Sequence, residues 1–226
     1  MLVDWVNADR VANGLVAYRT WTALDGLAAD RAARMADART LSHAVAGGNV
    51  GDALDARGIP WSWYGETLGM SPATFGETSA RQVFDAWLAS DPHRNIVRSD
   101  VDNYVGIGVA QSVDGWTWVS LIATQSPDHT APTVAATGLS RSGDDLTFRW
   151  RGSDPLLQTL TAGIRSYDVQ LRRDGGSWRL VRDNTTSVSV TLRDRKRGHW
   201  FSLRVQAADR RGTLSAWTKP VRIWVP

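Results

Sequence analysis

The chain has 226 residues, 42% of them hydrophobic and 22% charged, which is ordinary globular composition for one or two domains each burying its own core. It contains no cysteine, excluding disulfides, thiolate zinc sites and a cysteine nucleophile. No apolar run approaches the roughly 18 residues that a membrane-spanning helix needs, and the opening Met1-Leu2-Val3-Asp4-Trp5 lacks the basic and long apolar regions of a signal peptide.

Charge is unevenly spread. Residues 1–130 carry 9 basic and 15 acidic side chains, a net −6, whereas residues 131–226 carry 17 and 8, a net +9. Such a split points to two domains with different partners. Only Lys196 and Lys219 are lysine and only Glu66 and Glu77 are glutamate. That bias is the economical signature of a GC-rich genome, so arginine abundance alone says little about phosphate recognition.

In chain order, Leu24, Leu27, Ala28, Ala32 and Met35 form the apolar stripe of an amphipathic helix, with Asp30, Arg31, Arg34 and Asp37 assigned to its outer face. A second helix carries Val83, Phe84, Trp87 and Leu88. Ser79 and Gln82 have the spacing of a capping box at its start, and Pro92 is expected to end it. Val105, Ile107 and Val109 alternate with Gly106, Gly108 and Ala110, and Asp114-Gly115 turns the chain into a partner strand from Trp116 to Ala123. Helices followed by a late antiparallel hairpin imply a layered α/β domain over residues 1–126, not a doubly wound one.

Ser126 to Pro132 is polar and brackets two prolines, placing a linker at 127–131. Beyond it, residues 132–226 read as strands throughout: Leu146–Trp150, Tyr167–Leu171, Val188–Leu192, Phe201–Ala207 and Val221–Val225 all alternate. About seven strands in roughly 100 residues is the rhythm of an immunoglobulin-like sandwich. Its arginines fall on the outward phase.

Four histidines are available for chemistry. His129 in the linker and His199 after Arg197-Gly198 are expected to be exposed. His43 and His93 each fall just beyond a predicted helix end, where side chains can converge on a cleft, and Glu66 lies in the irregular stretch between them. Ser42 adjoins His43, but neighbours in sequence rarely form the hydrogen bond that activates a nucleophile. Ser42 is instead expected to orient its loop. Trp61, Trp63 and Tyr64 cluster before Glu66; Trp87, Trp150 and one of Trp116 and Trp118 are assigned to the core, while Trp61 and Trp63 fit either a core or a sugar-stacking platform.

Five segments in order resemble the CAP superfamily, the cysteine-rich secretory and pathogenesis-related group, in its cysteine-free bacterial branch. They are Val6-Asn7-Ala8-Asp9-Arg10 with Gly14-Leu15; Leu27 to Met35 with Leu41-Ser42-His43; Gly65-Glu66; Val83 to Ile96; and Val105 to Ala110. The resemblance implies an α-β-α sandwich with a central cleft lined by His43, Glu66 and His93. This chain departs from the family pattern in four places. Thr67 replaces the usual asparagine, Ser90 stands where eukaryotic relatives have a second glutamate, Trp116 where they have a second histidine, and Trp118 where glutamine is usual. Glu77 is not placed in the cleft by any motif.

The rear half resembles a fibronectin type III module, from Thr130-Ala131-Pro132-Thr133 through the Trp150 and Tyr167 strands. Phe201 takes the usual tyrosine position of such a module. The lost hydroxyl bond predicts a cost of about 1 kcal/mol.

The expected fold is therefore α+β, an α-β-α sandwich followed by an all-β immunoglobulin-like sandwich. The expected function is binding of an extracellular or cell-envelope glycan, lipid or peptide in the His43–Glu66–His93 cleft, with the basic sandwich tethering the protein to anionic envelope polymers. Two alternatives stay open: a hydrolase of peptide or cell-wall material holding a divalent metal such as zinc on His43, His93 and Glu66, and a purely structural His–Glu network. Nucleic acid is not an expected partner, because the acidic front half opposes it and no groove-reading motif is present.

Overall fold

The computed structural model describes all 226 residues, which divide into two compact units. The first holds Met1–Pro127 with Leu156–Leu160, and the second holds the remainder.

In the first unit α1 is Leu2–Ala12, β1 Arg19–Thr20, α2 Thr22–Ala38, α3 Val50–Ala56, β2 Trp63–Ser71, α4 Glu77–Ala89, α5 Asp91–Val97, β3 Tyr104–Gln111 and β4 Thr117–Gln125. The strands form one sheet in the order β1-β3-β4-β2, antiparallel except for the β1–β3 pair. Helices cover both faces. On one, Val105, Val119, Leu121 and Ala123 pack against Leu2 and Val6 of α1 and Val83, Phe84 and Trp87 of α4. On the other, Tyr104 and Ile122 meet Leu24, Leu27 and Ala28 of α2 and Leu54 of α3, with Leu157 completing that cluster.

Glycine sets how close the layers come. A Cβ on Gly108 would lie 2.0 Å from the backbone nitrogen of Ala29, and one on Gly106 2.2 Å from the carbonyl carbon of Leu24. The backbone of α2 thus rests directly on β3, which explains why that strand alternates glycine with Val and Ile. On β2, Gly65 and Gly69 instead make room for side chains, those of Ile96 of α5 and Val83 of α4.

Arg10 ties this unit together from inside. It is wholly buried, donates to the carbonyls of Val16, Val97 and Ser99, and lies 3.5 Å over the ring of Tyr18. Burial lowers its pKa from the usual guanidinium value and pushes the Tyr18 phenol up.

Several local expectations need correcting. The helix α4 begins two residues before Ser79, whose hydroxyl accepts from the Gly76 N–H at 3.0 Å. Gln82 is no capping partner; its Oε1 accepts from Ser71 Oγ. The break after α4 comes at the extended Ser90, and Pro92 sits in the first turn of a new helix, α5, where its missing N–H costs nothing. His199 is not loose in a turn: it opens a strand, and its Nδ1 pairs with Asp174 Oδ2 at 2.5 Å.

The second unit has seven strands: β5 Thr133–Ser142, β6 Asp145–Ser153, β7 Ile164–Arg173, β8 Arg179–Thr185, β9 Ser189–Leu192, β10 His199–Asp209 and β11 Val221–Val225. They form antiparallel sheets ordered β11-β10-β7-β8 and β5-β6-β9. The inward phases of both sheets, including Phe148, Trp150, Val169, Phe201 and Val205, make one core.

Candidate functional site

The sequence placed Glu66 in irregular chain; it is instead within β2, paired across the sheet with Ile122. Alternation along the strand sends Gly65 toward α5 and Glu66 toward α2. A carboxylate forced into the interior in this way needs compensation, and four donors supply it. Arg31 Nε donates to Oε1 at 2.5 Å and Arg31 Nη2 to Oε2 at 2.7 Å, a bidentate pair. Ser120 Oγ donates to Oε1 at 2.9 Å from β4, and His43 Nδ1 lies 2.7 Å from Oε2. The Arg31 and Glu66 side chains are 2% and 3% exposed, whereas His43 is 59% exposed.

Arg31 is the functional residue that sequence reading assigned to the wrong face. Its spacing held the signal, because Leu27, Arg31 and Met35 are four residues apart and so share one helix face. All three are buried.

His43 stands in the turn after α2. The Ser42 hydroxyl accepts from the Ala44 N–H at 3.2 Å, the loop-orienting role expected of it. The turn closes with Gly48 N–H donating to the His43 carbonyl, and the Gly48 carbonyl in turn accepts from Arg31 Nη2 at 2.9 Å. Arg31 therefore holds both the carboxylate and the loop that carries the histidine.

Because a carboxylate only accepts, Nδ1 carries the proton toward Glu66 and Nε2 faces outward. It borders an open cleft of about 490 Å³ lined by His43, Asn49, Val50, Tyr64 and Glu66. Tyr64 donates to Asn49 Oδ1, and Trp61 packs edge-on against Tyr64 at 4.9 Å. Trp61 is thus half-buried behind Tyr64 against the core under α2 and α3, and Trp63 is 60% exposed. Trp87, Trp118 and Trp150 are core residues.

The other sequence candidates lie elsewhere. His93 is in the first turn of α5, three residues before Ile96, which packs on the face of β2 opposite the Glu66 side chain. It makes no hydrogen bond to Glu66 or His43, so the structure joins two of the three expected residues and substitutes Arg31 and Ser120 for the third. Ser90 separates α4 from α5, and Glu77 is exposed at the start of α4.

This donor set does not fit a divalent metal. Every lone-pair direction of Glu66 is taken, and a guanidinium occupies the place beside the carboxylate where a cation would sit. No group of three His, Asp or Glu side chains gathers there. His43 alone keeps a ligating nitrogen. With no hydroxyl or thiol bonded to Nε2, the arrangement is a fixed imidazole at the mouth of a cleft, suited to hydrogen-bonding a ligand.

A search of curated protein sequences found no match. Among solved structures the chain is similar to an extracellular protein containing an SCP domain from Bacillus anthracis, at 18% identity and TM-score 0.48, covering 55% of this chain and 39% of that one. An outer surface protein of Borrelia burgdorferi is similar at 17% identity and TM-score 0.49, covering 55% of this chain and 90% of that one. A fibronectin-type-III-like protein from Clostridium thermocellum is similar at 22% identity and TM-score 0.32, covering 43% and 96%. The chain thus spans well under two thirds of the Bacillus protein. The profile of the cysteine-rich secretory protein family, CAP, matches residues 3–122. That match takes in α1 through most of β4, including Arg31, His43 and Glu66, and by it this cysteine-free chain belongs to the CAP family.

Proposed function

We propose that the protein is a non-catalytic binder of an extracellular or cell-envelope ligand, a glycan, lipid or peptide, held in the cleft beside His43. The observation that carries this reading is the Arg31–Glu66–His43 chain of hydrogen bonds, which locks the ring and presents Nε2 to the cleft. Arg31 orients the carboxylate through its bidentate pair. The Tyr64 ring, braced edge-on by Trp61, and Val50 supply apolar surface for the ligand beside one polar anchor, the usual make-up of a small-molecule site. The second unit acts as the anchor, its net positive charge drawing it to anionic envelope polymers.

Peptidoglycan fragments titrated calorimetrically into the full chain test the cleft. His43→Ala is expected to weaken binding at least tenfold in a protein that stays folded, with the melting temperature lowered only by a few degrees, since the ring is mostly exposed and Arg31 and Ser120 still hold Glu66. Equal affinity of a folded His43→Ala protein refutes the assignment. Sedimentation with isolated bacterial cell walls tests the anchor. Retention is expected to fall steeply with added salt, and salt-independent retention refutes an electrostatic tether.

A further inference from the structure

The outward face of the β11-β10-β7-β8 sheet is built of alternating indoles and guanidiniums. Trp200 and Trp224 are direct cross-strand partners, their rings 5.5 Å apart and each 40% exposed. One row further, Ser202 is flanked in register by Arg222 on β11 and Arg172 on β7. Arg222 lies 4.2 Å over the Trp200 ring, and Arg172 lies 4.5 Å over Trp178. In the next row Arg204 sits between Trp178 and Trp217, at 4.3 and 4.6 Å, and donates twice to Gln170.

None of these three guanidiniums pairs with a carboxylate, and Arg172 Nε is buried without a hydrogen-bond partner. The carboxylates at the two ends of the face are already engaged: Asp168 accepts from the Asn184 N–H, and Asp174 from His199 and the Trp200 N–H. Stacking on indoles keeps the cations flat and pre-positioned while leaving their charge unneutralised.

We propose that this face binds an acidic polysaccharide, with sugar rings on Trp200 and Trp224 and carboxylates on Arg222 and Arg172. The inference deepens the anchoring role assigned above and rests on it. An indole pair offers an apolar platform to the C–H face of a sugar. Arg222 and Arg172 flank β10 in one row, two inter-strand spacings or roughly 9.5 Å apart, a sparse spacing that suits the carboxylates of a polysaccharide chain. Duplex nucleic acid carries a charge about every 1.7 Å of its axis and would also meet the net −6 of residues 1–130. A membrane is disfavoured because the two indoles pack on each other and beneath Arg222 and are each only 40% exposed.

The test uses the full chain with polygalacturonate, its methyl ester, oligo-thymidylate and phosphatidylglycerol vesicles as separate probes, read by calorimetry or affinity electrophoresis. Polygalacturonate is expected to bind, and its methyl ester at least tenfold more weakly. W200A/W224A is expected to lose at least tenfold in affinity, and R222Q three- to tenfold with a shallower salt dependence. Should the double variant lose its fold, R222Q and its salt series decide. Wild-type affinity in a folded W200A/W224A protein overturns the proposal, as does tighter binding of oligo-thymidylate or vesicles than of polygalacturonate. A wild-type chain that sediments with cell walls but ignores polygalacturonate overturns this inference alone; one that does neither overturns the anchoring role as well.

Discussion

Breaking the Arg31–Glu66 pair from either side leaves a buried charge without its counter-ion. The two side chains are 2% and 3% exposed, so water cannot replace the lost partner, and removal of one member of such a pair costs about 3–5 kcal/mol. The two sides are not equivalent. In Arg31→Met the carboxylate keeps Ser120 and His43 as donors. In Glu66→Leu the guanidinium keeps only the Gly48 carbonyl, and the Ser120 hydroxyl loses its acceptor. Glu66→Leu is therefore expected at the upper end of the range and Arg31→Met at the lower. For a unit of this size, 1 kcal/mol shifts the melting temperature by roughly 3–4 °C, so each single variant should lose about 10–20 °C.

The double variant Arg31→Met/Glu66→Leu removes both charges and leaves apolar side chains of similar bulk. It is expected to recover at least about 2 kcal/mol against the sum of the singles. Urea unfolding combined with hydrogen exchange of the β2, β3 and β4 amides reports this sheet separately from the second unit. Single-variant costs that add to within about 0.5 kcal/mol in the double variant would refute the claim that the pair acts as a unit.

Gly108→Ala should cost at least about 3 kcal/mol, because its Cβ would meet backbone atoms of Ala28 and Ala29 at 2.0–2.3 Å and neither layer can yield cheaply. Folding of this variant with near-wild-type stability, measured by chemical denaturation, contradicts the close α2–β3 approach. Trp87→Phe removes a 2.8 Å hydrogen bond to the Leu68 carbonyl at a site 1% exposed, and a loss of about 2–3 kcal/mol is expected in the same assay. Asp102 is buried and its pKa is raised, chiefly by desolvation. The native state therefore binds this proton more readily than the unfolded chain, so the residue's contribution falls as pH rises through its raised value. Asp102→Asn should stabilise the protein at pH 7, and the gain should vanish near pH 3, below the ordinary carboxylate range of about 3.9. Melting curves across that span check it; a constant difference at every pH refutes it.

Much of the architecture was legible in the sequence because short-range periodicity records burial. The stripe from Leu24 to Met35, the alternation from Tyr104 to Ala123 and the strands after residue 132 each became the element expected, and the ordered motifs from Val6 to Ala110 marked the family that residues 3–122 match. The small elements were harder to read. A seven-residue helix such as α5 carries too little periodicity to separate from a turn, and β2 has two glycines and a glutamate where a strand pattern wants apolar side chains.

The site was legible by half. His43 and Glu66 stood out as rare residues in ordered motifs, but whether they touch depends on which face of β2 the glutamate takes, and that is set by glycine contacts with α4 and α5 far along the chain. The same alternation put His93 on the opposite helical layer. Arg31 shows the limit most clearly. Its position in the helix repeat pointed inward and its charge pointed outward, and local rules let the charge win. Only the folded sheet, by bringing a buried carboxylate within 2.5–2.7 Å, made the interior the lower-energy place for a guanidinium.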